Sequence, residues 1–232
     1  MSLLGKQTRI FGFSVVELLV VLGVLGLLIA FFIFPVARRA LEDGRSARCV
    51  SQLRQIGVAV EVYIGEHNQL LPPISPIIGA PHFFQEAVAP YLKVAMPFPF
   101  PANSEREEVG AFCCPSDKTP FLSAYRSYAI NYYTGRSADF TWRNIARRSE
   151  CPAPGKIVYL ADGYRSDGPA IEKAAARLSP NTTGFTSGER TMGLSFRHGG
   201  KVNALWLDGH VSQLGEEQTL DNTAMLYPKD AQ

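Results

Sequence analysis

The amino-terminal part of the chain carries a run of apolar residues from Phe13 to Ala37. About 20 apolar residues cross the hydrocarbon core of a bilayer as one helix, so the run is long enough to span a membrane. One acid interrupts it near its start, Glu17, and a carboxylate in hydrocarbon is costly. Pro35 lies inside the helical pattern and predicts a kink. The pattern therefore predicts a membrane-length helix over residues 13–37.

The next segment is amphipathic and predicts that the helix continues over residues 38–71. Its apolar positions recur at close to helical spacing: Val50, Leu53, Gly57, Val60 and Ile64. We expect this stripe to pack on a sheet. Pro72 and Pro73 then end the element.

The remainder, residues 72–232, reads as short elements separated by loops. Residues 72–110 are rich in proline and predict a surface excursion with one helical patch, QEAVAPYLKV. Strands are predicted at 111–114, 127–133 and 156–161. Residues 164–190 read as loop with a helical patch near 170–177.

The clearest element is a hairpin near the carboxyl end, KVNALWL-DG-HVSQL. Asp208-Gly209 between apolar runs is a strong signal for a two-residue turn. Such a turn pairs Trp206 with Val211 and places Trp206 on the opposite face from His210. The predicted fold class is α+β, a long N-terminal helix packed on a C-terminal antiparallel sheet.

Composition narrows the classes of function. Hydrophobic residues make up 46% of the 232 residues, which supports a buried core, and the net charge of +2 without a Lys/Arg-rich run predicts no nucleic-acid partner. Basic residues flank the apolar run on both sides, so charge does not orient it in a membrane: Lys6, Arg9, Arg38, Arg39, Arg45 and Arg48.

The chain has four cysteines, which permit three fully paired connectivities. Cys113 and Cys114 are adjacent, and adjacent cysteines rarely bridge each other. We therefore expect one of them to pair with Cys49 or Cys151 if the domain faces an oxidising compartment. No C-x-x-C spacing typical of zinc sites occurs.

Three interpretations of the N-terminus differ in what precedes the apolar run. A secretory signal peptide has a shorter apolar region and a small-residue cleavage site, which is missing here. An ordinary signal anchor fits the length and lets Glu17 reach the interface. The third interpretation uses Gly12, Phe13 and Glu17, a glycine, an aromatic residue and an acid at fixed spacing before the run.

That spacing resembles the leader of type IV pilins and type II secretion pseudopilins. The resemblance implies that a prepilin peptidase cuts between Gly12 and Phe13, removing residues 1–12, and methylates the new amine of Phe13. Glu17 is then the fifth mature residue. In this family that carboxylate pairs with the N-terminal amine of a neighbouring subunit and sets the register of assembly.

A second motif lies near the carboxyl end, where His198 is followed by nine residues and then Asp208-Gly209. It resembles the H-X9-DG domain of bacterial prepilin-like proteins of the planctomycete type. Further blocks that are similar to this family are CVSQLRQIGVAVEVY, CPSD, SYAINY and IVYLADG. Together the two resemblances cover most of the chain outside 74–110 and 164–190.

Two interpretations of this motif are open. In one, His198, Asp208, His210 and Asp162 build a metal or ligand site. In the other, which we favour, the motif is structural: Asp208 shapes the turn by local hydrogen bonds, Gly209 supplies a positive φ, and His198 holds the start of the strand.

We predict no metal site, and calcium is the alternative that the resemblance to major pseudopilins implies. Calcium needs several oxygen donors. The aspartates considered for it are Asp162, Asp167, Asp208 and Asp221.

The expected function is structural, because no G-x-S-x-G, H-E-x-x-H or P-loop motif appears and we predict no enzyme. The resemblance implies a subunit of a type II secretion-like or type IV pilus-like filament. It would cross the bacterial cytoplasmic membrane once, with the C-terminal domain outside the cytoplasm, and its partners would be prepilin peptidase and other pilin-like subunits. The alternative is a membrane-anchored extracytoplasmic module that binds a ligand and does not polymerise.

Overall fold

The structure is a computed structural model that describes most of the chain in eight stretches: residues 14–74, 84–94, 110–117, 127–135, 145–163, 177–178, 194–220 and 223–228. The chain divides into two compact units, Met1–Glu42 and Asp43–Gln232.

Residues 15–42 of the N-terminal unit are helical. Helix α1 spans Val15–Leu28, a π-helical turn spans Ile29–Ile33, and helix α2 begins at Phe34 and ends at Glu66. Together they form one helix that is long and apolar enough, by length and composition, to cross a membrane. The most apolar 18-residue stretch of this helix contains no buried residue. The predicted membrane-length helix is confirmed in that sense.

The π turn ends at Ile33, two residues before Pro35. Proline lacks the N–H that an α-helix needs, and its ring crowds the preceding turn. Single π turns inside α-helices relieve such mismatches. The expected disturbance at Pro35 therefore takes the form of a widened turn.

The start of α1 is closed by a reciprocal pair of hydrogen bonds. The backbone N–H of Ser14 donates to Oε2 of Glu17 at 2.8 Å, and the N–H of Glu17 donates to Oγ of Ser14 at 3.3 Å. This is a capping box, which satisfies two of the helix's unpaired N–H groups. Glu17 thus has a local partner in the isolated chain.

In the second unit, α2 presents the predicted stripe to the core. Leu53, Gly57, Val60 and Ile64 are buried, whereas Val50 is half-buried. A Cβ on Gly57 would lie 2.9 Å from Cδ1 of Leu205, so the glycine permits close approach of helix and sheet.

Helix α2 ends before the predicted boundary at residue 71. Asn68 and Gln69 have φ of 59° and 65°, and the N–H of Gln69 donates to the carbonyl of Ile64 at 2.9 Å. This left-handed pair ends the helix before the two prolines are reached.

The sheet has five strands in the order β3-β1-β2-β4-β5. The bounds are Tyr128–Asn131 for β1, Val158–Asp162 for β2, Arg177–Leu178 for β3, Lys201–Trp206 for β4 and Val211–Gly215 for β5. Four strands pair antiparallel, and β3 pairs parallel with β1. The predicted α+β class with an antiparallel sheet is confirmed for those four strands.

One apolar cluster contains residues of α2 and of the sheet, including Ile56, Tyr159 and Leu205. A second cluster covers Val202 and Leu226 among others. Helix α3 (Phe84–Leu92), which matches the predicted helical patch, contributes to the first cluster. Other short helices in the described residues are α4 (Glu216–Leu220) and the 3-10 turns Arg148–Glu150, Pro154–Lys156 and Thr223–Leu226.

One local prediction is wrong. Residues 110–112 form a 3-10 turn instead of the predicted strand, and Gly110 there has φ of +52°. The disulfide of Cys114 ties this segment to α2. Residues 177–178 form a strand that pairs with β1 at the edge of the sheet, whereas residues 170–176 of the predicted helical patch lie outside the described residues.

The hairpin turn also differs from its prediction, because it contains three residues. Leu205 pairs with Val211, the N–H of Trp206 donates to the carbonyl of His210 at 2.9 Å, and Gly209 has φ of +91°. Leu207 is drawn out of the ladder, since its N–H donates to the carbonyl of Ile157 and its side chain is buried.

The register therefore shifts by one residue from the predicted pairing of Trp206 with Val211. Trp206 and His210 lie on the same face, with rings stacked at 5.2 Å. A three-residue loop with a left-handed glycine is the next most common hairpin after the two-residue turn.

Candidate functional site

The structure pairs Cys49 of α2 with Cys114 in a disulfide between residues 65 positions apart. Both cysteines are fully or almost fully buried. Cys113 is half-buried and Cys151 is a buried thiol. Burial raises the pKa of the Cys151 thiol, although a hydrogen bond from the backbone of Ala153 lowers it in part, so this thiol is poorly reactive.

His198 lies next to this disulfide and is held by a tight backbone turn. Its N–H donates to the carbonyl of Lys201 and its carbonyl accepts from the N–H of Lys201, both at 3.2 Å. The two residues between them, Gly199 and Gly200, have φ of +63° and +79°. Such a pair of positive φ angles defines a hairpin turn that glycine adopts without strain.

The imidazole of His198 faces the carboxylate of Asp162, the last residue of β2. Nε2 of His198 is 3.2 Å from Oδ2 of Asp162, and both side chains are at most 1% exposed. The same Oδ2 accepts a hydrogen bond of 2.8 Å from the N–H of Asn203 in β4. Nε2 also lies 3.5 Å from Sγ of Cys114.

The second carboxylate oxygen, Oδ1 of Asp162, is buried and accepts no hydrogen bond from the residues that the structure describes. Buried acceptors are nearly always paired, because leaving one unpaired costs free energy. Among the described residues, Oδ1 of Asp162 is therefore an acceptor left for a further donor or a cation.

An ion pair lies beside the cluster in the chain. Arg197 contacts Asp117 at 2.9 Å, and Asp117 also accepts from Oγ of Ser127 at 2.9 Å. Arg197 further donates to the carbonyl of Gly163, one residue beyond Asp162. These bonds tie together the segments that carry Cys114, Asp162 and His198.

Tyr128 of β1 contacts helix α2 through its hydroxyl group. Its hydroxyl donates to Oε1 of Gln52 at 3.0 Å and lies 3.4 Å from the carbonyl of Cys49. Burial raises the pKa of Tyr128, and the nearby charge of Asp162 raises it further.

The two ends of the H-X9-DG motif lie apart. His198 precedes β4 and Asp208 follows it, and a strand of six residues covers about 20 Å at about 3.4 Å per residue. The nine residues between His198 and Asp208 are thus strand β4 and the turn residues on either side of it. A single site containing both His198 and Asp208 is not formed.

Asp208 makes its own pair at the exposed turn. Its Oδ1 accepts from the N–H of His210 at 3.1 Å and lies 2.6 Å from Nδ1 of the same residue. With Gly209 at positive φ, this geometry is what the structural interpretation of the turn expects.

The aspartates considered for calcium do not converge where the structure describes them. Asp162 is with His198 beside the start of β4, whereas Asp208 is at its end. Asp167 and Asp221 lie outside the described residues, as do Gly12 and Phe13 of the predicted cleavage site.

The cluster that the structure assembles is Cys49, Cys114, Asp162 and His198, and one ligand-type atom from each lies within 4.8 Å of the others. Sequence reasoning had named all four residues but had joined only His198 and Asp162. The disulfide partner of Cys114 was left open. The four residues come from a helix, a loop and the ends of two strands, and no short sequence pattern indicates that these segments meet. Gly199-Gly200 was the missed local signal, since this dipeptide marks a tight turn that aims His198.

Chemically, the sulfurs are bonded to each other and supply no thiolate in this state. The cluster then stabilises the fold as a covalent link beside a buried histidine–carboxylate pair. Comparison with known proteins finds no family model, no curated protein and no solved structure that matches this chain.

Proposed function

We propose that this chain is a structural, pilin-like subunit of a type II secretion-like or type IV pilus-like filament, without catalytic activity. Prepilin peptidase cuts it between Gly12 and Phe13 and methylates Phe13. The observation that carries the proposal is the spacing of Gly12, Phe13 and Glu17 ahead of a helix with no buried residue in α1.

The exposed helix supports this role because its side chains need an apolar partner. Large apolar residues of α1 are about half to three-quarters exposed, for example Val15 at 75% and Leu27 at 72%. A membrane covers them before assembly, and helices of neighbouring subunits cover them in a filament. Within the described residues one helix has membrane length, which supports a single-pass protein of the bacterial cytoplasmic membrane.

The disulfide supports a C-terminal domain outside the cytoplasm. Disulfides persist in oxidising compartments and are rare where thiols are kept reduced. A covalent link between α2 and the Cys114 loop would also hold the domain on its helix while the filament is under load.

Glu17 has two separable roles in this proposal. Its carboxylate closes the capping box with Ser14 in the isolated chain, and its negative charge meets the amine of a neighbouring subunit on assembly. Glutamine serves a capping box as glutamate does, but it carries no charge.

Glu17→Gln and Glu17→Ala therefore test the proposal as a matched pair. Full-length variants are expressed in the native host, and the sheared filament fraction and the membrane fraction are probed with an antibody. We expect both variants to stay in the membrane and to be lost from filaments, because both lack the charge. Normal incorporation of Glu17→Gln would contradict a charge-dependent assembly.

The second candidate is the membrane-anchored module that binds a ligand and does not polymerise. One observation favours it, an open groove of about 450 Å³ that carries Arg54, Tyr91 and Lys93. The hydroxyl of Tyr91 donates to Glu66, which raises the pKa of Tyr91 to about 12.

The groove offers two cationic side chains to an anionic ligand. Arg54→Ala/Lys93→Ala discriminates the two candidates, since a module would lose ligand binding while a filament subunit would assemble normally. Absence of the protein from every filament fraction, with an intact Glu17, would favour the module.

A further inference from the structure

The four buried groups of the cluster come from four separate segments of the chain. Cys49 lies on α2, Cys114 in a loop, Asp162 at the end of β2 and His198 before β4. Thiolate, imidazole and carboxylate are the ligand types of tetrahedral zinc sites. Convergence of four such groups within 4.8 Å is therefore a metal-ligand arrangement, except that two of them are covalently joined.

Two distances within the cluster match edges of a tetrahedral zinc site. Zinc bonds of about 2.0–2.3 Å place a sulfur and a nitrogen ligand about 3.5 Å apart, and a nitrogen and an oxygen ligand about 3.4 Å apart. The structure has 3.5 Å between Sγ of Cys114 and Nε2 of His198. It has 3.2 Å between Nε2 of His198 and Oδ2 of Asp162.

The surroundings fix the orientation of these groups. The N–H of Asn203 holds the carboxylate of Asp162, and the glycine turn holds the backbone of His198. Oδ1 of Asp162 has no hydrogen-bond partner among the described residues. A bound cation would neutralise this buried carboxylate, and partners that orient ligands are typical of metal centres.

We propose that Cys49, Cys114, Asp162 and His198 form a redox-gated zinc site, which is closed by the disulfide and opened by its reduction. A dithiol reductant supplies two electrons and two protons to the Cys49–Cys114 bond. Two thiols form, and the reductant closes its own disulfide. Zn²⁺ then binds both sulfurs as thiolates, and the two thiol protons pass to solvent.

In the reduced chain, the metal takes over the mechanical role of the disulfide. It links α2 to the Cys114 loop and adds β2 and the segment before β4 to the same link. This inference rests on the second unit alone and does not depend on whether the chain assembles into filaments.

The test uses the full-length chain in detergent, reduced anaerobically with a phosphine and freed of metal by a chelator that is then removed. Co²⁺ is titrated as the probe, because its thiolate charge-transfer and tetrahedral d–d bands report ligand type and geometry. We expect one Co²⁺ per reduced chain, displacement by one equivalent of Zn²⁺, and no such bands in the oxidised chain.

Variants assign the ligands. We expect His198→Gln and Asp162→Asn each to raise the apparent Kd for Co²⁺ at least about tenfold. Loss of a residue that only hydrogen-bonds a metal ligand already weakens metal binding by about that factor. The matched control is Cys113→Ala, which removes the neighbouring thiol and should leave Co²⁺ binding unchanged.

Three results would overturn the site: absence of thiolate bands in the reduced chain, equal bands in Cys49→Ala/Cys114→Ala, or loss of binding in the Cys113→Ala control. If reduction unfolds the domain, circular dichroism recorded during the Co²⁺ titration shows whether the metal refolds it. Refolding on addition of Co²⁺ supports the site, because metal binding is then coupled to folding, and a chain that stays unfolded without Co²⁺ bands contradicts it.

Discussion

Removing the Cys49–Cys114 disulfide should lower the stability of the second unit by a predictable amount. The bond joins residues 65 positions apart, so it restricts a long loop in the unfolded chain. The loop-entropy relation gives about 4 kcal/mol for this length. Because natural domains are stable by about 5–15 kcal/mol, the loss would be a large share of the total.

The double variant Cys49→Ala/Cys114→Ala measures this loss in urea unfolding of the full-length chain in detergent, with chelator present. Tryptophan fluorescence, to which Trp206 in β4 contributes, reports the unfolding. With an m-value of about 2 kcal/mol per M, the midpoint should fall by about 2 M. Wild-type protein with added reductant should show a similar shift.

Cys113→Ala is the control, because it alters the adjacent, half-buried cysteine without touching the disulfide. It should change the free energy of unfolding by less than about 1 kcal/mol. Equal midpoints for the double variant and this control would refute the reasoning. Alkylation supplies an independent check: the unreduced, denatured chain should expose two thiols, Cys113 and Cys151.

Four further substitutions probe other contacts by the same urea assay. Asp162→Ala should lower the free energy of unfolding by about 3–5 kcal/mol, because it leaves His198 buried without its carboxylate. Asp208→Ala at the exposed turn should lower it by less than about 1 kcal/mol. Equal losses in the two variants would contradict the buried pairing of Asp162 with His198. Tyr159→Phe should stabilise the fold by about 1 kcal/mol or more, because the hydroxyl is fully buried without a partner among the described residues. Burial raises the pKa of Tyr159 above 10.0. Folding stability is therefore fully present below about pH 10 and falls above it, by up to about 1.4 kcal/mol per pH unit. The urea midpoint should be lower at about pH 11 than at about pH 9, and this fall should be smaller in Tyr159→Phe. Gly135→Ala should destabilise by about 2 kcal/mol or more, because φ is +126° and the new Cβ would lie 2.5 Å from the carbonyl oxygen of Pro72; an unchanged midpoint would contradict that geometry.

The parts of the fold that sequence reasoning predicted are those governed by local periodicity. The buried positions of α2 follow from helical spacing, because each lies about one turn from the next. Leu53, Val60 and Ile64 are buried as expected. Residue Val50 is only half-buried, since the stripe drifts around the helix over several turns.

The hairpin shows where local signals are insufficient. Asp-Gly is compatible with a two-residue and a three-residue loop. The choice depends on Leu207, which enters the core and donates its N–H to Ile157, about 50 residues earlier in the chain. A contact of that range has no counterpart in a short pattern, so the register could not be read from the turn alone.

The cluster around His198 was out of reach for the same reason. Its members are recognisable one at a time, as cysteines in short blocks, an aspartate after an apolar run and a histidine before a glycine pair. Their convergence depends on the order of strands in the sheet and on the packing of α2 against it. Neither is encoded in the spacing of the individual residues.

Intact-mass spectrometry of the protein extracted from membranes of a host with prepilin peptidase tests the central claim most directly. Processing between Gly12 and Phe13 predicts a mass lower by residues 1–12 and higher by one methyl group, with the methyl located on Phe13 by fragmentation. A full-length mass that retains Met1, or a cut elsewhere in the apolar run, would contradict the assignment of this chain as a pilin-like subunit.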